Sequence, residues 1–114
     1  MFLNTGRSYQ PSNKVNAYLN TQVTSATPEQ LLLMVYDVAI VNCQNKNPEK
    51  VHKAITELIS SLNFEYQDIA LGLFRLYQYC QELVRKRNFE EAGSILKELR
   101  DTWALAFKNQ KTAN

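Results

Sequence analysis

The chain has 114 residues, 45% hydrophobic and 21% charged, which fits one globular domain with a single core. Its formal net charge of +2 lacks the clustered basic excess of a nucleic-acid binder, and three Gly and three Pro are too few for a turn-rich β-sandwich or barrel. No apolar run approaches the ~20 residues a bilayer demands. Met1-Phe2-Leu3 is too brief for a signal-peptide core, and two cysteines, Cys43 and Cys80, exclude a disulfide scaffold and suit a reducing compartment.

Residues 1–12 show no period and read as a mobile arm ahead of a single helical domain over 13–108. Within it, 13–23 are expected to form a short first helix, with Val15, Tyr18 and Leu19 on one stripe and Asn13 as its candidate cap. Thr27-Pro28-Glu29-Gln30 then sets a sharper boundary: an N-cap hydroxyl, proline at the first helical position, and a glutamine three residues past the cap. A helix is expected from Pro28 to about Gln44. Asn47-Pro48-Glu49 repeats the start signal, and Val51, Ile55, Leu58, Ile59 and Leu62 follow at helical spacing until Asn63-Phe64-Glu65 breaks the pattern. From Tyr66 to about Arg87, Ile69, Leu73, Leu76, Tyr77, Cys80, Leu83 and Val84 make the next stripe. Asn88 with Glu91 is a second capping pair, opening a last helix through Ala92, Leu96, Leu99, Trp103 and Ala106 to about Phe107. Residues 109–114 are expected to form a frayed tail. Helices joined by such short connections pack as antiparallel neighbours. The expected fold is all-α, an antiparallel four-helix bundle with a short additional N-terminal helix.

Catalysis finds little to work with. The single histidine, His52, has no neighbouring metal-ligand pair, the Glu-x-x-His pairs of di-metal bundles are missing, and Cys43 and Cys80 lack zinc-site spacing. There is no Gly-rich phosphate loop and no nucleophile elbow. No enzyme activity, cofactor or metal is expected. Arg85-Lys86-Arg87 sits at the negative end of a helix, where a solvated, dipole-complementing cluster is a better reading than a phosphate patch. The aromatic residues are not interleaved with cations as base stacking would require, so no nucleic-acid partner is expected. Trp103, on one stripe with Leu96 and Leu99, is expected to be structural.

One stretch resists a plain bundle reading. Leu31 to Val41 is apolar at every position but Asp37, which leaves almost no polar face for water. Leu71 and Phe74 lie off their helix's main stripe as well. Surplus apolar surface of this kind meets either another segment of the chain or a partner, and a partner groove is the reading favoured here.

The same residues carry a resemblance. Asn16-Ala17-Tyr18 with Gln22 through Asp37, including Leu33-Met34-Val35-Tyr36-Asp37, resembles the opening block of the flagellin-specific export chaperones, the FliS family. Ile55 to Leu62 resembles that family's Ile-x-Glu-Leu-x-x-Ser-Leu stretch. Ile69-Ala70 with Leu73, Leu76-Tyr77 and Tyr79 is similar to its next helix, and Glu98-Leu99-Arg100 with Trp103 to its last. Each block is also an ordinary helix stripe; their order across residues 16–105 makes the resemblance specific. Two departures stand out: Val38 follows Tyr36-Asp37 where the family usually has Gly, and the hairpin around Cys43 to Lys50 is short. With that hairpin shortened, the helix from Tyr66 overhangs by roughly 7 Å at 1.5 Å per residue. Cys80, Leu83, Val84 and Phe89 are then expected to be partly uncovered.

The resemblance implies a cytoplasmic chaperone that binds the disordered C-terminal segment of flagellin, prevents its premature polymerisation and holds it for the flagellar type III export apparatus. Export components are further candidate partners. Helices seated in an apolar groove are a recurring recognition mode, and a disordered ligand needs an extended one. The groove residues expected from off-core position are Leu32, Val35, Tyr36, Ala39, Leu71, Phe74 and Gln78. Val15, Tyr18 and Leu19 are expected to form a displaceable cover over them. The alternative is a self-associating helical adaptor or structural module.

Overall fold

The computed structural model describes residues 25–112. The arm, the helix expected over 13–23 and the cover residues Val15, Tyr18 and Leu19 lie outside the described residues. The chain divides into two compact units, Met1–Leu31 and Leu32–Asn114. What is described of the first unit is a capping box. Thr27 N–H donates to Gln30 Oε1 at 2.9 Å and Gln30 N–H donates to Thr27 Oγ1 at 3.1 Å, which satisfies two donors that a helix start leaves free.

Four helices follow in order: α1 Pro28–Gln44, α2 Pro48–Ser60, α3 Gln67–Arg85 and α4 Phe89–Thr112. No strand occurs among the described residues. The sequence signals place the starts of α1, α2 and α4, while α4 ends five residues beyond the expected Phe107. Lys108-Asn109-Gln110-Lys111 contains no helix breaker, and cations near a helix C-terminus are favoured by its dipole.

The connections after α1 and α3 are built alike. Lys46 N–H donates to Cys43 O and Asn47 N–H to Asn42 O; Arg87 N–H donates to Val84 O and Asn88 N–H to Leu83 O. Each pair is a Schellman closure, which puts Lys46 at φ 55° and Arg87 at φ 62°. The asparagine that completes each closure then caps the next helix. Asn47 Oδ1 accepts from Lys50 N–H at 3.2 Å, and Asn88 Oδ1 accepts from Glu91 N–H at 3.3 Å. One residue thus ends one helix and starts another.

The core draws on all four helices. Tyr36, Ala39 and Cys43 come from α1, Val51, Ile55 and Leu58 from α2, Tyr77, Cys80 and Val84 from α3, and Ala92 and Leu96 from α4. Burying one large apolar side chain contributes about 1.5–3 kcal/mol, so these rows supply most of the drive for packing. Gly93 lets α1 and α4 approach: a Cβ there would lie 3.3 Å from Cys43 Cβ. Asp37 and Arg100 add an ion pair between the same two helices at 3.0 Å.

The expected overhang is corrected. Cys80, Leu83, Val84 and Phe89 are buried, and the uncovered part of α3 is its other end, where Tyr66 and Ile69 are 66% and 64% exposed. The reason is register. Gln81 Nε2 lies 3.5 Å from Thr56 Oγ1, so the 13 residues of α2 pair with the later turns of α3 and leave its first turns largely exposed apart from the buried Ala70.

Candidate partner-binding surface

The apolar run in α1 resolves into an inner and an outer face. Val35, Tyr36, Ala39 and Cys43 are buried, at the i, i+3/i+4, i+7 spacing of one stripe. Val38 and Val41 point outward, 50% and 49% exposed. Of the expected groove residues, Tyr36 and Ala39 are therefore corrected to core positions with no accessible surface, and Val35 is buried beside them. Leu32 is half-buried. On α3, Leu71 and Gln78 are exposed and Phe74 is half-buried. These three share one face of the helix by their spacing and form a row that a partner can reach. The period of α1 did not separate its core positions from its outward ones, because α1 is apolar on both sides.

Tyr36 is held in the core by its hydroxyl. It hydrogen-bonds the Tyr77 hydroxyl and accepts from Trp103 Nε1–H at 3.1 Å, so one oxygen joins α1, α3 and α4. Trp103 is half-buried and its ring stacks on Phe107 at 5.6 Å between centroids. Its role is structural through this bond rather than through deep burial.

Titratable groups with displaced pKa values are mainly core groups. Desolvation by burial raises Tyr36 and Tyr77, pushes the Cys43 thiol up to about 11 and the Cys80 thiol up to about 12. Both thiols are free and protonated at neutral pH, which is the opposite of a nucleophile's poise. Burial, with Arg85 next, lowers His52. Among the described residues no group of His, Cys, Asp or Glu is placed to hold a metal ion, and no helix is long and apolar enough to cross a membrane.

What the described surface offers is apolar area on otherwise polar helices: Val38 and Val41 on α1, Leu71 with Phe74 on α3, Phe64, Tyr66 and Ile69 around the start of α3, and Leu105 on α4. Sequence reasoning flagged the apolar surplus of Leu31–Val41 without assigning Val38 and Val41 to the groove, and it missed the Phe64–Ile69 group, whose place at a pattern break or on a helix stripe gave no sign of exposure. Contiguous exposed apolar patches mark interaction surfaces, whereas single exposed apolar side chains are ordinary. The family model for flagellar protein FliS matches residues 11–110. No curated protein and no solved structure gives a match.

Proposed function

This chain belongs to the flagellar protein FliS family, and on that premise we propose that it binds the disordered C-terminal segment of flagellin in the cytoplasm. Membership implies a flagellar export chaperone; the identity of the client and the surface it uses are the proposal. The helices act as an antiparallel four-helix bundle, an arrangement supported by register: Asp37 pairs with Arg100 and Cys43 meets Gly93, so positions rising along α1 match positions falling along α4.

The observation that carries the reading is the reachable row of Leu71, Phe74 and Gln78 on α3. A client segment folds as it docks, seating apolar side chains on this row and on Leu32. The gain from burying its apolar face offsets the chain entropy lost on ordering. A segment held in this way cannot polymerise early and remains available to the type III export apparatus. The outward Val38 and Val41 favour a second reading, self-association through α1. Titrating a flagellin C-terminal fragment while following mass by light scattering separates the two. A one-to-one complex supports the chaperone, and a concentration-dependent homodimer indifferent to the fragment supports the adaptor.

A further inference from the structure

A second surface lies at the end of the molecule where α1 and α3 finish. Between the last turns of α1 and the first turns of α4 is an open depression of about 460 Å³, within the size range of ligand-binding clefts. Ile40, Cys43, Phe89 and Gly93 make its apolar floor, and the missing side chain of Gly93 is part of the hollow. Lys46 and Lys97 stand on its rim. Arg87 reaches the same place, with its guanidinium 5.2 Å from the Phe89 ring centroid.

Two of these cations sit where local physics favours another residue. Lys46 and Arg87 both occupy the left-handed position of a Schellman closure, which glycine adopts without steric cost and a side-chain-bearing residue does not. Complementing a helix dipole does not require this position, since a cation anywhere in the last turn serves. Neither Lys46 nor Arg87 makes an ion pair with any described residue, whereas Lys97 already holds Asp101 at 3.0 Å. The same strained placement occurs twice: Lys46 lines the hollow itself, and Arg87 lies over the ring of Phe89, which forms part of its floor.

We infer that this depression is a docking site for an acidic peptide segment of a partner protein, one leucine or aromatic side chain entering the hollow and flanking carboxylates meeting Lys46 and Arg87. Glu90 also lines the rim. It disfavours a carboxylate on its own side and so fixes the direction in which the segment lies. The site is separate from the Leu71–Phe74–Gln78 row, and the inference does not rest on the flagellin reading.

The probe is a fluorescein-labelled decapeptide with a central Leu-Phe pair flanked by Asp and Glu, and its control carries Asn and Gln instead. With the full chain labelled with nitrogen-15, the acidic peptide shifts the Ile40, Gly93 and Ser94 amides, and at low salt it binds about tenfold tighter than the neutral one. Lys46→Gly weakens it about three- to fivefold, the scale of one exposed ion pair, yet melts no lower than wild type because glycine fits the left-handed backbone. Ser94→Trp, introduced from an exposed rim position, blocks the hollow and abolishes binding. The inference is overturned by equal affinity for both peptides, by wild-type affinity of Lys46→Gly, or by shifts confined to the Leu71 row. Binding of a single-stranded oligonucleotide in place of the peptide overturns it equally. A flagellin fragment that still binds Lys46→Gly at wild-type strength confirms that the two sites are independent, and absence of any flagellin binding leaves the peptide result intact.

Discussion

Replacing Tyr36 by Phe removes one oxygen and two hydrogen bonds, and the geometry sets what that costs. The Tyr77 hydroxyl is left in a site only 1% exposed with no remaining partner. Stranding a buried hydroxyl costs about 1–3 kcal/mol, with roughly 1 kcal/mol more for the second bond. Trp103 Nε1–H also loses its acceptor, but Trp103 is half-buried, so water replaces part of that bond. The expected total is about 2–3 kcal/mol, a fall in Tm of roughly 10–20 °C for a domain of this size. Tyr77→Phe is milder, about 1–2 kcal/mol, because Tyr36 keeps Trp103 as a donor and only its own proton is left without an acceptor. The double variant Tyr36→Phe/Tyr77→Phe strands no hydroxyl at all. It should therefore be more stable than Tyr36→Phe alone, a negative interaction energy in a double-mutant cycle. Urea unfolding followed by helical circular dichroism measures all four proteins. Additive losses, or a double variant worse than both singles, would refute the shared-oxygen account.

Stability should fall as pH rises, in two stages. The Cys43 and Cys80 thiols are raised to about 11 and about 12 by burial, so the unfolded chain releases their protons first and stability declines from about pH 8.5. Tyr36 and Tyr77, also raised by burial, steepen the loss above about pH 10. Melting curves between pH 7 and 10.5 check both, and Cys43→Ala should flatten the first stage; a flat profile contradicts the burial. Gly72→Ala should raise stability by roughly 0.5–1 kcal/mol, because a Cβ there meets open space. Gly93→Ala should gain little or lose, because its Cβ lies 3.3 Å from Cys43 Cβ; equal gains for the two would show that α1 and α4 are not in close contact. Asp37→Ala should cost under about 1 kcal/mol and less at high salt, as an exposed ion pair does; a larger, salt-independent loss would mean the pair is desolvated.

The helices were legible where capping chemistry marks their ends. Thr27 with Gln30, Asn47 before Pro48, and Asn88 with Glu91 each encode a boundary locally, and the hydrogen bonds fall as the side chains dictate. What sequence could not supply was register between helices. The length difference between α1 and α3 was apparent, but which end of α3 is left bare depends on how α2 pairs with it, and the six residues between Ser60 and Gln67 carry no signal for that. The same limit explains the groove. In a helix with one polar stripe the core face can be read from its period; α1 is apolar on both faces, so Tyr36 and Ala39 were not separable from Val38 and Val41. The hydroxyl of Tyr36 hinted at the answer, since a buried Tyr needs a partner and Tyr77 and Trp103 were available on neighbouring stripes. Lys46 and Arg87 were opaque for another reason. They stand where glycine marks a helix end in most sequences, so the usual stop signal was missing while the stop itself was present.

The placement of Tyr36 also changes what a binding experiment should use. Tyr36→Ala opens a cavity in the core and confounds unfolding with loss of contact, whereas Leu71→Asp alters an exposed position and leaves the core intact. The measurement that tests the central claim most directly is therefore calorimetric titration of a flagellin C-terminal fragment into wild type and Leu71→Asp, at two temperatures, with circular dichroism of the mixtures. A one-to-one complex with a negative heat-capacity change and a gain in helix, weakened at least about tenfold in Leu71→Asp, is the predicted result. No heat at either temperature together with additive circular dichroism spectra, or equal binding by Leu71→Asp, would contradict it.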